Sequence, residues 1–192
     1  KYINNEAIAI IGHSAGGYTA ASLIGGVPDT ANISKHCQEH KEDIEFCGGH
    51  SFSSRIKGFF SCSNSEDEHI IKGTHDRRIK AAVLLAPLGV LFKDEQSLMN
   101  IKAPVLMYRA EKDDILRYPY HAESIKRKLK IKPEYIVVNN AGHYSFLSPF
   151  PENIRKRVGI VAKDPKGFDR IEFHLKMNQE IFKFFSKSLK TS

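Results

Sequence analysis

Three kinds of side chain at well-separated positions could together carry out acyl transfer: a serine, a histidine and a carboxylate. Gly12-His13-Ser14-Ala15-Gly16 fits G-x-S-x-G, a sharp strand-to-helix turn that lifts a serine hydroxyl above a sheet. Small residues two before and two after Ser14 are expected, because strand and helix backbones nearly touch at such a turn. The turn also aims free N–H groups of the helix start, Ala15 N–H first, at developing negative charge. A P-loop would need a Lys and a dinucleotide loop the G-x-G-x-x-G spacing; this segment has neither. A serine hydroxyl is a poor nucleophile until a base takes its proton, and that base is usually a histidine held by a carboxylate. Of nine histidines, His143 is the candidate base, on a loop (Asn139-Asn140-Ala141-Gly142-His143-Tyr144) that follows an apolar run. Glu111, Asp113 and Asp114 all follow another such run. Asp113 is preferred for its three-residue spacing from the strand, with Asp114 as the competitor.

These residues need elements to hold them, and the sequence alternates strand and helix signals, as an α/β fold with parallel strands requires. Ala7–Ile11 is a wholly apolar run, expected as a strand buried on both faces. A helix is expected over Tyr18–Ile24, closed by Gly25-Gly26. Strands are expected at Ile79–Ala86, Pro104–Tyr108 and Tyr135–Val138. Helices are expected at Asp94–Ile101 and Tyr120–Leu129. Residues 144–168 read as a loop. A last helix over Asp169–Leu189 has Ile171, Leu175, Phe182 and Phe185 on its expected apolar side. The whole chain, 1–192, reads as one domain, with residues 29–78 as a polar, irregular, cap-like insertion. Active sites of open parallel sheets gather at the C-terminal strand edge, where Ser14, Asp113 and His143 would all lie.

Composition narrows the function classes. With 41% hydrophobic and 27% charged residues the chain is that of an ordinary globular domain. No apolar run approaches the ~20 residues of a membrane span. The net charge of +7 is concentrated in residues 109–192, with 18 Lys+Arg against 10 Asp+Glu. Lys126, Arg127, Lys128 and Lys183 alternate with apolar positions as on solvated helix faces, and no nucleic-acid motif accompanies the charge, so no nucleic-acid partner is expected. Within the insertion, His36, Cys37, His40, Cys47 and His50 cluster, with His36 and His40 on one helix face. Their spacing matches no common zinc module; a metal site and scattered polar residues of a cap both remain open.

Ile11–Gly17, Pro104–Leu116 and Ala141–Leu147 resemble the three signature regions of bacterial predicted dienelactone hydrolases, themselves similar to the platelet-activating-factor acetylhydrolase branch of the α/β-hydrolase superfamily. The order Ser, acid, His fits that superfamily. The resemblance implies a Ser14–Asp113–His143 triad, a small-molecule ester as substrate and an acyl-enzyme, with no metal or organic cofactor. True dienelactone hydrolases carry Cys at the elbow, so dienelactone activity does not follow from the likeness. In the same group the insertion often reads as a Cys, a spacer and Phe-Cys. This implies a Cys37–Cys47 disulfide, with Cys62 free, and an oxidising compartment, periplasmic or extracellular; without the disulfide a cytoplasmic setting is the default. A complete α/β-hydrolase has about four strands before the elbow, one connecting loop supplying a second oxyanion N–H. The expectation here is therefore an N-terminally truncated sheet of about four strands. Its elbow strand would have an open edge able to pair with a second copy or a partner chain, and loss of activity is the alternative.

Overall fold

The computed structural model describes residues 4, 6–48, 70–71 and 74–190. Most of the expected insertion beyond Gly48, including His50 and Cys62, lies outside them.

Four apolar runs become the strands β1 (Ile8–His13), β2 (Ile79–Leu85), β3 (Val105–Ala110) and β4 (Glu134–Val138). They pair in the order β1-β2-β3-β4, every pair parallel. Parallel strands need covered faces, and helices on both sides of the sheet cover them. Among the described residues the helices are α1 (Ala15–Leu23), α2 (Ala31–Glu39), α3 (Ile44–Cys47), α4 (Ala122–Lys128), α5 (Glu152–Val158) and α6 (Arg170–Ser188).

Alternation along the strands divides the core into two layers. Ala82, Leu84, Val105 and Met107 pack on one face with Tyr18, Ala20 and Ala21 of α1 and Ile125 of α4. Ala81, Val83, Leu85, Leu106 and Tyr108 pack on the other with Met177, Ile181 and Phe184 of α6. β2 is central and no residue from Ala81 to Leu85 is more than 5% exposed. β1 lies at the edge of the sheet, with no strand partner on its outer side among the described residues, and Ile11 is half exposed there. No helix among the described residues is long and apolar enough to cross a membrane.

Three expectations are corrected. Asp94–Ile101 is not a helix but holds one 3-10 turn, Gln96–Leu98, in which the Asp94 carboxylate accepts from Ser97 N–H. Leu98 and Ile101, three apart, both reach the core, a spacing that fits the tighter turn. Residues 144–168 are not wholly loop: they contain α5 and the 3-10 turn Gly159–Ala162, and another 3-10 turn spans His143–Phe146. α5 buries no residue, so it left no apolar period to read; Pro151 and Glu152 start it, Arg155–Arg157 suit its C-terminal end, and Gly159 at φ 61° stops it. Finally, of the four residues expected on the apolar side of α6 only Phe185 packs against the core. Ile171, Leu175 and Phe182 are 65%, 63% and 73% exposed, whereas Met177, Ile181 and Phe184 are buried. The helix carries apolar residues at two angular positions, and the buried His174 and the Tyr108–Glu180 hydrogen bond (2.7 Å) fix which one meets the sheet.

Candidate active site

β1 runs into α1 through Ser14, whose backbone sits at φ 58°, ψ −119°, a conformation that costs a non-glycine residue on the order of 1–3 kcal/mol. Neighbouring backbone holds it there. Ser14 N–H donates to the Leu85 carbonyl (2.9 Å), and the Ser14 carbonyl accepts from Leu88 N–H (3.1 Å) and Gly17 N–H (3.0 Å). The close approach requires glycine at Gly12, where a Cβ would fall 2.0 Å from the Gly16 carbonyl oxygen. The second crowded position is Gly17, 2.8 Å from Pro87 Cα. A Cβ on Gly16 itself would meet nothing within 4 Å, which corrects the expectation that this residue must be small; Gly16 is needed only as the backbone that Gly12 faces.

The turn brings Ser14 to His143 and Asp113, which arrive from the C-terminal ends of β4 and β3. His143 Nδ1–H donates to Asp113 Oδ2 at 2.8 Å, leaving Nε2 to accept from the Ser14 hydroxyl at 2.9 Å. The other carboxylate oxygen, Asp113 Oδ1, accepts from Ile115 N–H (3.1 Å) and Leu116 N–H (2.7 Å), which fixes its orientation. Ser14 is 8% exposed, and the His143 and Asp113 side chains 1% and 3%. The competing carboxylates go elsewhere: Glu111 accepts from Asn140 N–H, and Asp114 is exposed. At the start of α1 the N–H groups of Ala15 and Gly16 donate to nothing among the described residues, so the expected Ala15 N–H is free to face an oxyanion.

A scan against protein-family models finds no match, and no curated protein matches the chain. The geometry of the site therefore carries its functional reading.

Two supporting shells were not read from the sequence. His13, the variable residue of the elbow motif, donates from Nε2 to the His143 carbonyl (2.9 Å), and its ring lies 4.8 Å from the His143 ring. Burial, then the nearness of His143, lowers the His13 pKa to about 4, so no second cation forms beside the base at neutral pH. The other support, centred on Ser145, braces the His143 turn. Ser145 Oγ accepts from Gly142 N–H (3.1 Å) and donates to Asp164 (2.7 Å). Arg170 in turn grips Asp164 with two hydrogen bonds (2.8 and 2.9 Å), and His174 Nε2 donates to the Ser145 carbonyl. No local pattern announces this network, because Asp164 and Arg170 belong to different elements and each is unremarkable alone.

Away from the triad, Cys37 and Cys47 form a disulfide, the pairing the resemblance implied. Beside it His36, Asp43 and Cys47 form the group with metal-like spacing among the described residues. No histidine or carboxylate of that group belongs to the triad.

Proposed function

We propose that the chain is a serine hydrolase of the α/β-hydrolase type that cleaves a carboxylic ester through an acyl-enzyme. The observation that supports this most is the continuous chain of hydrogen bonds from Ser14 Oγ through His143 to Asp113, built on a strained turn that aims the hydroxyl at the strand edge. Such an arrangement makes a nucleophile, a base and an orienting acid act as one unit.

His143 Nε2 takes the Ser14 proton as Oγ attacks the ester carbonyl carbon. Asp113 holds the ring in the required tautomer and stabilises the imidazolium. Ala15 N–H donates to the oxyanion; one such donor is commonly worth ~100–1,000-fold in rate. Collapse of the tetrahedral species breaks the bond to the alcohol, which leaves with the proton from His143. Water then attacks the acyl-serine, giving its proton to His143, and the carboxylic acid departs as Ser14 is reprotonated.

The test is hydrolysis of a p-nitrophenyl ester of a short-chain acid. An initial burst of nitrophenol with the acyl group trapped on Ser14, absent in a folded Ser14→Ala variant, is the expected result. Turnover that persists in Ser14→Ala would remove the proposal. The outer edge of β1, which has no strand partner among the described residues, favours a second reading, in which the triad works only when another chain pairs there. In that case specific activity rises with protein concentration instead of staying constant.

A further inference from the structure

The cluster beside the disulfide has a feature that its hydrogen bonds leave unexplained. Asp43 is fully buried, and its Oδ1 has no hydrogen-bond partner among the described residues. Its other oxygen is well served: Oδ2 lies 2.9 Å from His36 Nε2 and 3.4 Å from His121 Nε2. Both histidine contacts fall on that one oxygen and leave Oδ1 bare. Gly89 N–H points at His121 Nδ1 (3.4 Å), which leaves the His121 proton on Nε2, directed at Asp43. A buried carboxylate with one oxygen oriented by a histidine and the other bare has the form of a metal-binding carboxylate and its outer partner.

The remaining ligand types are in place. His36 Nε2, a carboxylate oxygen of Asp43 and Cys47 Sγ all lie within 4.8 Å of one another. Tetrahedral zinc bonded to nitrogen, oxygen and sulfur holds such atoms about 3.3–3.7 Å apart, so adjustments of about an ångström suffice. One carboxylate and one thiolate would balance the charge of a divalent cation, which a buried site demands. What blocks the site is covalent: Cys47 Sγ is bonded to Cys37.

We infer that reduction of the Cys37–Cys47 disulfide opens a site for one zinc-class divalent cation on His36, Asp43 and Cys47, and that exchange with an oxidised dithiol, which takes back the two electrons and two protons, expels it. In a cell a dithiol supplies two electrons and two protons. The S–S bond breaks, Cys37 and Cys47 become thiols, and the dithiol closes to its own disulfide. On binding, Cys47 releases its proton to solvent and His36 carries its proton on Nδ1, freeing Nε2 for the metal. Cys37 is not a ligand, and a water takes the fourth position.

The two cysteines therefore have separable roles, and the test uses that. Zinc(II) is titrated by calorimetry into the oxidised chain, into the chain reduced with a phosphine, and into Cys37→Ser and Cys47→Ser variants. Both variants lose the same disulfide. The expected result is one-to-one binding to the reduced chain and, without any reductant, to Cys37→Ser, with loss of binding in the oxidised chain and in Cys47→Ser. Cobalt(II) should give a thiolate charge-transfer band with Cys37→Ser and none with Cys47→Ser. Equal binding by both variants would mean adventitious capture by other histidines and would overturn the inference. So would the absence of one-to-one uptake by the reduced chain.

Discussion

Adding one methyl group at either end of the elbow separates the two glycines of its motif. In Gly12→Ala the new Cβ would lie 2.0 Å from the Gly16 carbonyl oxygen and 2.4 Å from its carbonyl carbon. Real Cβ contacts essentially never fall below 3.0 Å, so β1 and the start of α1 must part by about 1 Å. Overpacking of a rigid core costs about 1–3 kcal/mol, and backbone against backbone has no rotamer to relieve it, so the top of that range is expected. The same displacement moves Ser14 Oγ away from His143, and an error of about 1 Å at a reacting atom costs about 100-fold in rate. Gly16→Ala meets nothing within 4 Å and gains the helix propensity of Ala over Gly, ~1 kcal/mol. Urea unfolding read by circular dichroism should therefore place Gly12→Ala well below the parent and Gly16→Ala level with it or above. The rate of covalent capture at Ser14 should fall in the first variant. If the two variants lose equal stability, or Gly12→Ala loses none, the account of the elbow as a backbone contact is wrong.

Three further outcomes follow from the same structure. Asp164→Ala strands the buried Arg170 and removes the acceptor of Ser145, so it should cost about 3 kcal/mol in chemical unfolding and slow capture at Ser14, although Asp164 touches no triad residue. His13 titrates near 4 in the folded chain against 6.5 unfolded, so its contribution is complete above pH 6.5 and is lost as pH falls toward 4, by up to about 3 kcal/mol; in His13→Asn, stability followed across that window should decline less steeply. On α6, Ile181→Ala should cost about 2–4 kcal/mol and Phe182→Ala almost nothing, as thermal melts will show, the reverse of what the larger side chain suggests.

The sheet was legible because each strand is an apolar run bounded by turn residues, and the meeting of Ser14, Asp113 and His143 because all three follow those strands at one edge of the sheet. Asp113 could be preferred over Asp114 by spacing, but only the two backbone N–H groups that hold its carboxylate explain the choice. What escaped the sequence did so for physical reasons. α5 has no buried face and so no period, and α6 has two apolar stripes, of which tertiary contacts select one. The Ser145–Asp164–Arg170 brace and the His36–Asp43–His121 cluster join residues from separate elements. Their signal is mutual distance, which a one-dimensional pattern does not contain.

The central claim is that Ser14, His143 and Asp113 form a working nucleophile, and covalent labelling tests it most directly. The purified chain is treated with a fluorophosphonate and the adduct mapped by mass spectrometry, alongside Ser14→Ala and a heat-denatured sample. Stoichiometric modification at Ser14, lost in both controls, is the expected result. A folded chain that stays unmodified, or one labelled equally well after denaturation, would contradict it.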